Sequence, residues 1–230
     1  MGRPAKATAI ELSAVAYGHR KRPLLFEDVS LAVAGGESVA LMGPSGVGKS
    51  TLLSLALGIL SPARGRVTVA GQDWSSLSKS VRARHRAAHV GMVFQFGELL
   101  DELSPVENVA LPMMWSGKDG REAVERAEEL LERLGVHTSA STTDVVSGGE
   151  RQRIAVARAL ISDPQVVLAD EPTGSLDSDN ANALADVLFG LPREQGCALL
   201  VVTHSAEIAA RADRVLRLSS AGTLAADRAA

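Results

Sequence analysis

The sequence has few of the features that would place a protein outside the cell or inside a membrane. Its 230 residues include a single cysteine, Cys197, so an internal disulfide is impossible and a reducing compartment is expected. The longest apolar run, residues 52–60, is about half of the ~20 residues that a membrane-spanning helix needs. The first residues also lack the apolar core of a signal peptide. We therefore expect a cytoplasmic protein, with any membrane role supplied by another chain.

The charge of the sequence also indicates little about function. The formal net charge of −3 gives no electrostatic reason to expect a nucleic-acid partner. One basic run lies on a helix predicted over residues 75–87, but no aromatic side chains interleave it, which favours a solvated helix surface over a phosphate-binding face. His85 and His89 have i, i+4 spacing on the same helix. Arg86 stands where the zinc-protease motif has glutamate, and no third ligand is nearby, so we expect no metal there.

The stretch GPSGVGKST, residues 43–51, matches the pattern G-x-x-x-x-G-K-[ST] of a phosphate-binding loop. It lies between a predicted buried strand (residues 37–42) and a predicted helix (residues 51–57), as such a loop requires, whereas a chance glycine turn needs neither. The glycines let backbone N–H groups approach phosphate oxygens, and the helix adds the positive end of its dipole. We expect Lys49 to reach the β- and γ-phosphates and Ser50 to bind Mg²⁺.

Apolar patterning divides the rest of the chain into an α/β core and a helical insert. Residues 10–17 and 24–34 alternate apolar and polar side chains, as half-buried antiparallel strands do. Short apolar runs predict further strands at residues 37–42, 65–71, 89–95, 165–169, 197–202 and 214–218. Helices predicted at residues 75–87, 178–191 and 206–212 favour a largely parallel sheet covered on both faces. Between residues 95 and 164 the pattern is helical, with a short helix between Pro105 and Pro112, an amphipathic helix over 119–134 and an arginine-rich helix over 147–161.

Two adjacent carboxylates, Asp170 and Glu171, close the predicted strand at residues 165–169. A carboxylate at the exposed end of a buried strand can hold Mg²⁺ directly or through water. Its neighbour is then free to orient or deprotonate a water molecule. The alternative is a solvated pair of side chains at a strand end, and the phosphate-binding loop upstream favours the metal and water roles.

A second glycine-rich turn, formed by Ser147, Gly148 and Gly149, opens the arginine-rich helix. Its N–H groups and the Ser147 hydroxyl are a second potential anion site. Two arrangements are open. Both turns can converge on one nucleotide, or they lie on opposite rims and a second copy of the chain supplies the partner turn.

The segment VSGGERQR, residues 146–153, resembles the signature motif of ATP-binding cassette (ABC) ATPases. The order of motifs also agrees with that family: the phosphate-binding loop, Gln95, the signature, VVLADE (166–171), SLD (175–177) and His204. The resemblance implies an α/β P-loop NTPase with a parallel-sheet core, an N-terminal antiparallel β subdomain and an inserted α-helical subdomain. It implies one domain over residues 1–230, with the nucleotide-binding core at 1–94 and 165–230 and the helical signature subdomain at 95–164.

The family's nucleotide contacts transfer to matching positions of this sequence. Tyr17 resembles the aromatic residue that stacks on adenine, although it is also an ordinary residue for a strand. The expected phosphate contacts are Gly43, Ser45, Gly46, Val47, Gly48, Lys49, Ser50 and Thr51. In this family two cassettes dimerise head-to-tail around two ATP molecules. The resemblance therefore implies that Ser147, Gly148 and Gly149 clasp the γ-phosphate of the opposite subunit, and that Asp177 couples the two sites.

The family's catalytic and metal roles transfer in the same way. Glu171 would act on the attacking water, and His204 would hydrogen-bond the γ-phosphate, with a buried structural histidine as the alternative. Gln95 would contact both Mg²⁺ and the water and report the nucleotide state to the helical insert. Ser50, Gln95 and Asp170 would hold Mg²⁺. The implied activity is Mg²⁺-dependent ATP hydrolysis coupled to transport.

The segments FQFGELLDELSPVENVALPM (94–113) and DEPTGSLD (170–177) are similar to a narrower group that serves lipoprotein release, macrolide and antimicrobial-peptide export, and cell division. Members pair with a membrane permease, which would dock near residues 97–115 and hold the chain at the inner face of the cell membrane. Residues 100–103 (LDEL) depart from the Leu-Pro common in relatives. A nucleotide-gated scaffold of the cell-division type, in which dimerisation rather than transport is the output, is the alternative.

Overall fold

Two β-sheets carry the fold in the computed structural model, which describes residues 7–19, 23–136 and 140–226. The strands are β1 (Thr8–Tyr17), β2 (Phe26–Ala34), β3 (Ser38–Met42), β4 (Arg64–Val69), β5 (Gln72–Asp73), β6 (Val90–Val93), β7 (Val166–Asp170), β8 (Ala198–Val202), β9 (Arg214–Leu218) and β10 (Leu224–Ala226). The helices are α1 (Lys49–Ala56), α2 (Lys79–His89), α3 (Pro105–Trp115), α4 (Gly120–Arg133), α5 (Gly148–Leu160), α6 (Ser178–Gln195) and α7 (Ala206–Ala209).

The sheet arrangement agrees with the α/β architecture predicted from the sequence. One sheet has the strand order β2-β1-β4-β5 and is antiparallel. The other has the order β10-β9-β3-β8-β7-β6 and is parallel except for β10. Strands β3 and β8 are buried along their whole length, as parallel strands covered on both faces are.

The register of the parallel sheet brings the predicted chemistry to one edge. Asp170, the last residue of β7, lies opposite Val202, the last residue of β8, and Val202 lies opposite Leu41 of β3. The segments that follow these three strands therefore leave the sheet together. Ligands of parallel α/β sheets bind at this carboxyl edge.

Two helices are longer than the sequence predicted. Helix α3 continues through Pro112 to Trp115, and α6 continues through Pro192 to Gln195. A proline removes one intrahelical hydrogen bond, but tertiary packing can offset that loss. Here Met113 and Leu191 are buried beside the two prolines. Gly196, with a φ of 73°, then ends α6 as a left-handed cap.

Three short elements also differ from the prediction. The helix predicted over residues 75–87 is a 3₁₀ turn, Trp74–Ser76, followed by α2, because the side chains of Asp73 and Ser78 cap two separate starts. Strands β5 and β10 were not predicted, since two or three residues carry no readable periodicity. Among the described helices, none is long and apolar enough to cross a bilayer.

Two arginines of the basic helix α2 hydrogen-bond to backbone carbonyl groups of the same chain. Arg82 donates to the carbonyl oxygen of Trp74 at 2.6 Å, and Arg86 donates to that of Leu57 at 3.2 Å. His85 Nε2 lies 3.1 Å from the carbonyl oxygen of Val69. These side chains therefore fasten α2 to the neighbouring turn and strand.

The helical insert shares its apolar core with the parallel sheet. One cluster of buried side chains joins α3, α4 and α5 to β7 and β8. It includes Cys197, whose burial raises the pKa of the thiol to about 11. The buried Asn108 of α3 binds the segment before it, accepting from Leu100 N at 2.9 Å and donating to Leu100 O at 2.9 Å. The division of the domain at residues 95 and 164 stays a prediction.

Candidate nucleotide site

A cavity of about 620 Å³ lies at the carboxyl edge of the parallel sheet. It brings together most of the residues that the sequence singled out, from four separate parts of the chain. These are Gly43, Ser45, Gly46, Gly48, Lys49, Ser50, Thr51, Gln95, Asp170, Glu171 and His204. A nucleoside triphosphate needs such a site, in which donors and carboxylates from several strand ends converge.

The loop between β3 and α1 forms the floor of the cavity. Gly43 has a φ of 151°, and a Cβ atom at this position would lie 2.4 Å from the carbonyl oxygen of Leu218, so the loop can pass here only with glycine. Helix α1 begins at Lys49 directly after Gly48, which has no side chain to cap the helix. The first N–H groups of α1 are thus available to an anion.

The Lys49 ammonium group is hydrogen-bonded to the loop that precedes α1. Its Nζ atom donates to the carbonyl oxygens of Gly43 at 2.9 Å and Pro44 at 3.0 Å. The loop therefore holds a positive charge at the cavity wall before any phosphate arrives. A positive charge and free N–H groups on one loop are the two elements of phosphate recognition in P-loops.

Glu171 and His204 form a hydrogen-bonded pair at the cavity wall. Glu171 Oε2 accepts from His204 N at 3.3 Å and lies 2.9 Å from His204 Nδ1. The Glu171 side chain is 15% exposed, whereas that of His204 is 72% exposed. His204 is therefore not the buried structural histidine that was the alternative. Glu171 also has a φ of 46°, a left-handed conformation that non-glycine residues adopt at a cost and that is typical of functional sites.

The donor set for Mg²⁺ fits the cavity. Ser50, Gln95 and Asp170 line the same space and offer hydroxyl, amide and carboxylate oxygens, which Mg²⁺ prefers. In residues 7–19, 23–136 and 140–226, no three His, Cys, Asp or Glu side chains cluster as a metal cage. The set suits an ion that takes its remaining ligands from phosphates and water.

Two of the predicted nucleotide contacts have buried side chains, and their contacts with nucleotide stay predictions. Tyr17 and Val47 are each 8% exposed and belong to the main apolar cluster. The Tyr17 ring packs against Phe26 and meets the edge of His19, whose centroid is 5.4 Å away. Tyr17 is therefore buried as an ordinary strand residue would be, which was the alternative given for it. Adenine stacking by Tyr17 stays a prediction. His19 and Leu25 line the cavity, whereas Tyr17 does not.

His19 and Leu25 were not predicted from the sequence, because neither residue belongs to a motif. His19 stood in a basic turn, residues 18–23, and Leu25 in the start of a predicted strand. Their position depends on how the antiparallel sheet sits against the loop, which spacing along the chain does not show.

The second glycine turn lies outside this cavity, together with Asp177. Ser147 caps α5 in a reciprocal pair with Glu150, whose Oε2 accepts from Ser147 N at 3.0 Å. A Cβ atom on Gly149 would lie 3.1 Å from Asn180 Oδ1, and Asn180 in turn donates to Asp177 Oδ2 at 2.7 Å. The N–H of Asn180 also lowers the pKa of Asp177.

Four predicted nucleotide contacts do not line the cavity: Ser147, Gly148, Gly149 and Asp177. Asn180 connects two of them, because it lies against Gly149 and donates to Asp177. The sequence left two arrangements of the glycine turns open. In the structure, the two turns of one chain do not line the same cavity.

Comparison with known proteins identifies a family and a similar relative. Residues 26–174 match the protein family described as ABC transporter. The lipoprotein-releasing system ATP-binding protein LolD of Xanthomonas axonopodis pv. citri (strain 306) is 45% identical over 220 residues, which are 94% of this chain and 90% of the relative.

Solved structures show the same fold over nearly the whole chain. The ATP-binding cassette MJ0796, solved as a dimer in a post-hydrolysis state bound to ADP and Pi, has a TM-score of 0.85 and 31% identity, and the match covers 96% of this chain and 100% of that one. The cbiO1 protein of Clostridium perfringens, part of the ABC transporter complex cbiONQ, has a TM-score of 0.84 and 25% identity, with 95% and 87% covered.

Proposed function

Because the chain belongs to the ABC transporter family and is an ATP-hydrolysing cassette of it, we propose that it energises a separate membrane permease that releases lipoproteins from the cell membrane. The observation that carries the catalytic part is the cavity that joins the phosphate-binding loop to the Glu171–His204 pair. The lipoprotein substrate rests on the likeness to LolD. A complete catalytic pair favours turnover over a scaffold that is only gated by nucleotide.

We assign the steps of ATP hydrolysis to groups that line the cavity. Lys49 and the N–H groups of the loop bind the β- and γ-phosphates. Glu171 Oε2 is held by His204, so we assign to Oε1 the orientation of the attacking water and the acceptance of its proton. The exposed His204 imidazole donates to the γ-phosphate, and Gln95 contacts the attacking water. Bound Mg²⁺, held by Ser50, Gln95 and Asp170, would neutralise phosphate charge.

The site is complete only in a dimer under this proposal. Ser147, Gly148 and Gly149 lie outside the cavity of their own chain, and the similar cassette MJ0796 forms a dimer. A head-to-tail pair would place the second glycine turn of each copy on the γ-phosphate held by the other. Binding of ATP then stabilises the closed dimer, and hydrolysis removes the bridging phosphate group and lets it open.

The permease is proposed to dock in an apolar cleft beside α3. The cleft encloses about 480 Å³ and is lined by residues of α2, β6, α3 and α5 together with Glu98 and Leu100. Trp115 and Leu100, which line it, are 79% and 45% exposed. Large exposed apolar side chains grouped in one place mark a binding surface. This surface overlaps the segment 97–115 named from the sequence and would hold the chain at the inner face of the membrane.

Substitution of Trp115 by aspartate is expected to abolish stimulation of the ATPase by the permease, because it removes a large apolar side chain from the cleft and adds a charge that docking must desolvate. The isolated chain should hydrolyse ATP as before, since Trp115 lies outside the nucleotide cavity. Val81→Asp is the matched control, because Val81 is also exposed but does not line the cleft. The measurement is ATP hydrolysis by the complex purified from solubilised membranes. Full stimulation in the Trp115 variant would place the docking surface elsewhere.

The function as a whole is tested by complementation. The chain, produced in bacteria depleted of their own LolD, should restore lipoprotein release, whereas the Glu171→Gln variant should not. A second outcome would separate the two assignments. If the wild-type chain hydrolyses ATP in the presence of Mg²⁺ but copurifies with a permease that does not release lipoproteins, the substrate assignment is wrong. The ATPase assignment would then stand.

A further inference from the structure

A strained turn begins two residues after Gln95. Gly97 has a φ of 74° and Glu98 a φ of 49°, so two successive residues are left-handed. Glycine adopts this region readily, but a residue with a Cβ atom does so only against a penalty. The turn needs an outside contact to hold Glu98 in this conformation.

Arg158 of α5 supplies that contact. Its Nη2 atom donates to the carbonyl oxygen of Gly97 at 2.6 Å, and its Nη1 atom donates to that of Glu98 at 2.7 Å. One guanidinium fork thus binds both carbonyl groups of the strained turn. The fork is planar and fixes the spacing of the two acceptors, which a lysine ammonium cannot do.

The other side of Gln95 is held by the same helix. The buried Gln152 of α5 donates from Nε2 to the carbonyl oxygen of Phe94 at 2.9 Å. Gly97 N donates to the same oxygen at 3.1 Å. Gln95 therefore lies between two attachments to α5, one at Phe94 and one at the turn.

The strand that leads to Gln95 lies unusually close to α5 as well. A Cβ atom on Gly91 of β6 would be 2.2 Å from the carbonyl oxygen of Ala159. This contact leaves little room for β6 to shift relative to α5. The position of Gln95 in the nucleotide cavity thus depends on contacts made by α5.

We propose that Arg158 is a positioning residue for the ATPase reaction, which holds the Gly97–Glu98 turn in its left-handed form and thereby fixes Gln95 in the nucleotide cavity. The inference rests on the role proposed above for Gln95. Arg158 lies outside the nucleotide cavity and lines the cleft beside α3, so on the isolated chain we assign its effect to the backbone that carries Gln95.

Replacement of Arg158 by lysine is the first test, on the isolated full chain. Lysine keeps the charge but cannot bind both carbonyl groups in the fixed geometry of the fork. We expect kcat for ATP hydrolysis to fall about tenfold, while KM for ATP changes less than about twofold, because a misplaced group costs rate more than binding. Arg126→Lys is the matched control, since Arg126 of α4 forms ion pairs with the exposed carboxylates of Glu129 and Asp163, away from the nucleotide cavity, and its replacement should leave kcat unchanged.

Rescue by glycine separates strain from general damage. Glu98→Gly removes the penalty for the left-handed backbone, so in the Arg158→Lys background it should restore most of the lost kcat. Glu98→Gln removes the same charge but keeps the penalty, and it should restore nothing. Equal rescue by both variants, or by neither, would overturn the proposal, as would a normal kcat for Arg158→Lys.

A double-mutant cycle with Gln95 tests the route of action. Gln95→Ala should lower kcat, and adding Arg158→Lys to it should lower kcat no further. If the two losses multiply, Arg158 does not act through Gln95 and the proposal fails while the role of Gln95 stands. If Gln95→Ala alone has a normal kcat, the role of Gln95 is wrong and the proposal falls with it.

Discussion

Glu171→Gln is expected to lower kcat for ATP hydrolysis by about a thousandfold, within the range for removing a general base, and to leave ATP binding intact. Glutamine has nearly the same shape as glutamate, so the left-handed backbone and the contact with His204 N can be kept. It cannot accept a proton from water. The nucleotide should therefore remain unhydrolysed and hold two copies of the chain together.

Two measurements on the Glu171 variant follow from this. Phosphate release reports kcat, and size-exclusion chromatography with and without ATP reports the trapped dimer. Glu194→Gln is the control, because Glu194 is exposed and pairs with Arg133 far from the cavity. Undiminished hydrolysis by Glu171→Gln would remove this carboxylate from its assigned role. Loss of hydrolysis without a dimer would contradict the shared site instead.

Lys49→Ala is expected to weaken ATP binding about ten- to a hundredfold, since charge-assisted hydrogen bonds contribute about 1.5–3 kcal/mol each. The lysine is held at the cavity wall by the carbonyl groups of Gly43 and Pro44, so its charge is already in place for a phosphate. Its removal also leaves those two carbonyl groups facing the incoming phosphate without the intervening cation. Both effects act on affinity in the same direction.

The measurement for Lys49 is the dissociation constant of ATP by titration calorimetry on the isolated chain. Lys118→Ala removes the same charge from an exposed turn after α3 and serves as the control. An unchanged affinity in Lys49→Ala would contradict the assignment of the phosphate-binding loop. Thermal unfolding of both variants shows whether any loss comes from the fold.

The sequence was most informative where chemistry follows a buried strand. The loop at residues 43–51 and the pair Asp170–Glu171 each follow an apolar run, and parallel strands bring such ends to one edge. The family and the α/β fold were therefore predicted correctly from the motifs and their order.

Side-chain burial and helix length were harder to predict from the sequence. Whether the ring at position 17 faces a ligand or the core depends on β2, which packs Phe26 against it. The continuation of α3 and α6 beyond their prolines depends on apolar partners distant in sequence. The distance in space between Ser147 and the phosphate-binding loop cannot be read from the spacing of the motifs along the chain. Its role on a second copy stays a proposal.

The amide of Asn108 links two stretches of chain that are far apart in sequence. Leu100 N donates to Asn108 Oδ1, the Thr143 hydroxyl donates to Leu100 O, and Thr143 N donates to Leu103 O. None of these contacts can open alone without leaving a buried polar group unsatisfied. In hydrogen–deuterium exchange, the amide protons of Leu100 and Thr143 should therefore share one protection factor, as members of a single cooperative unit.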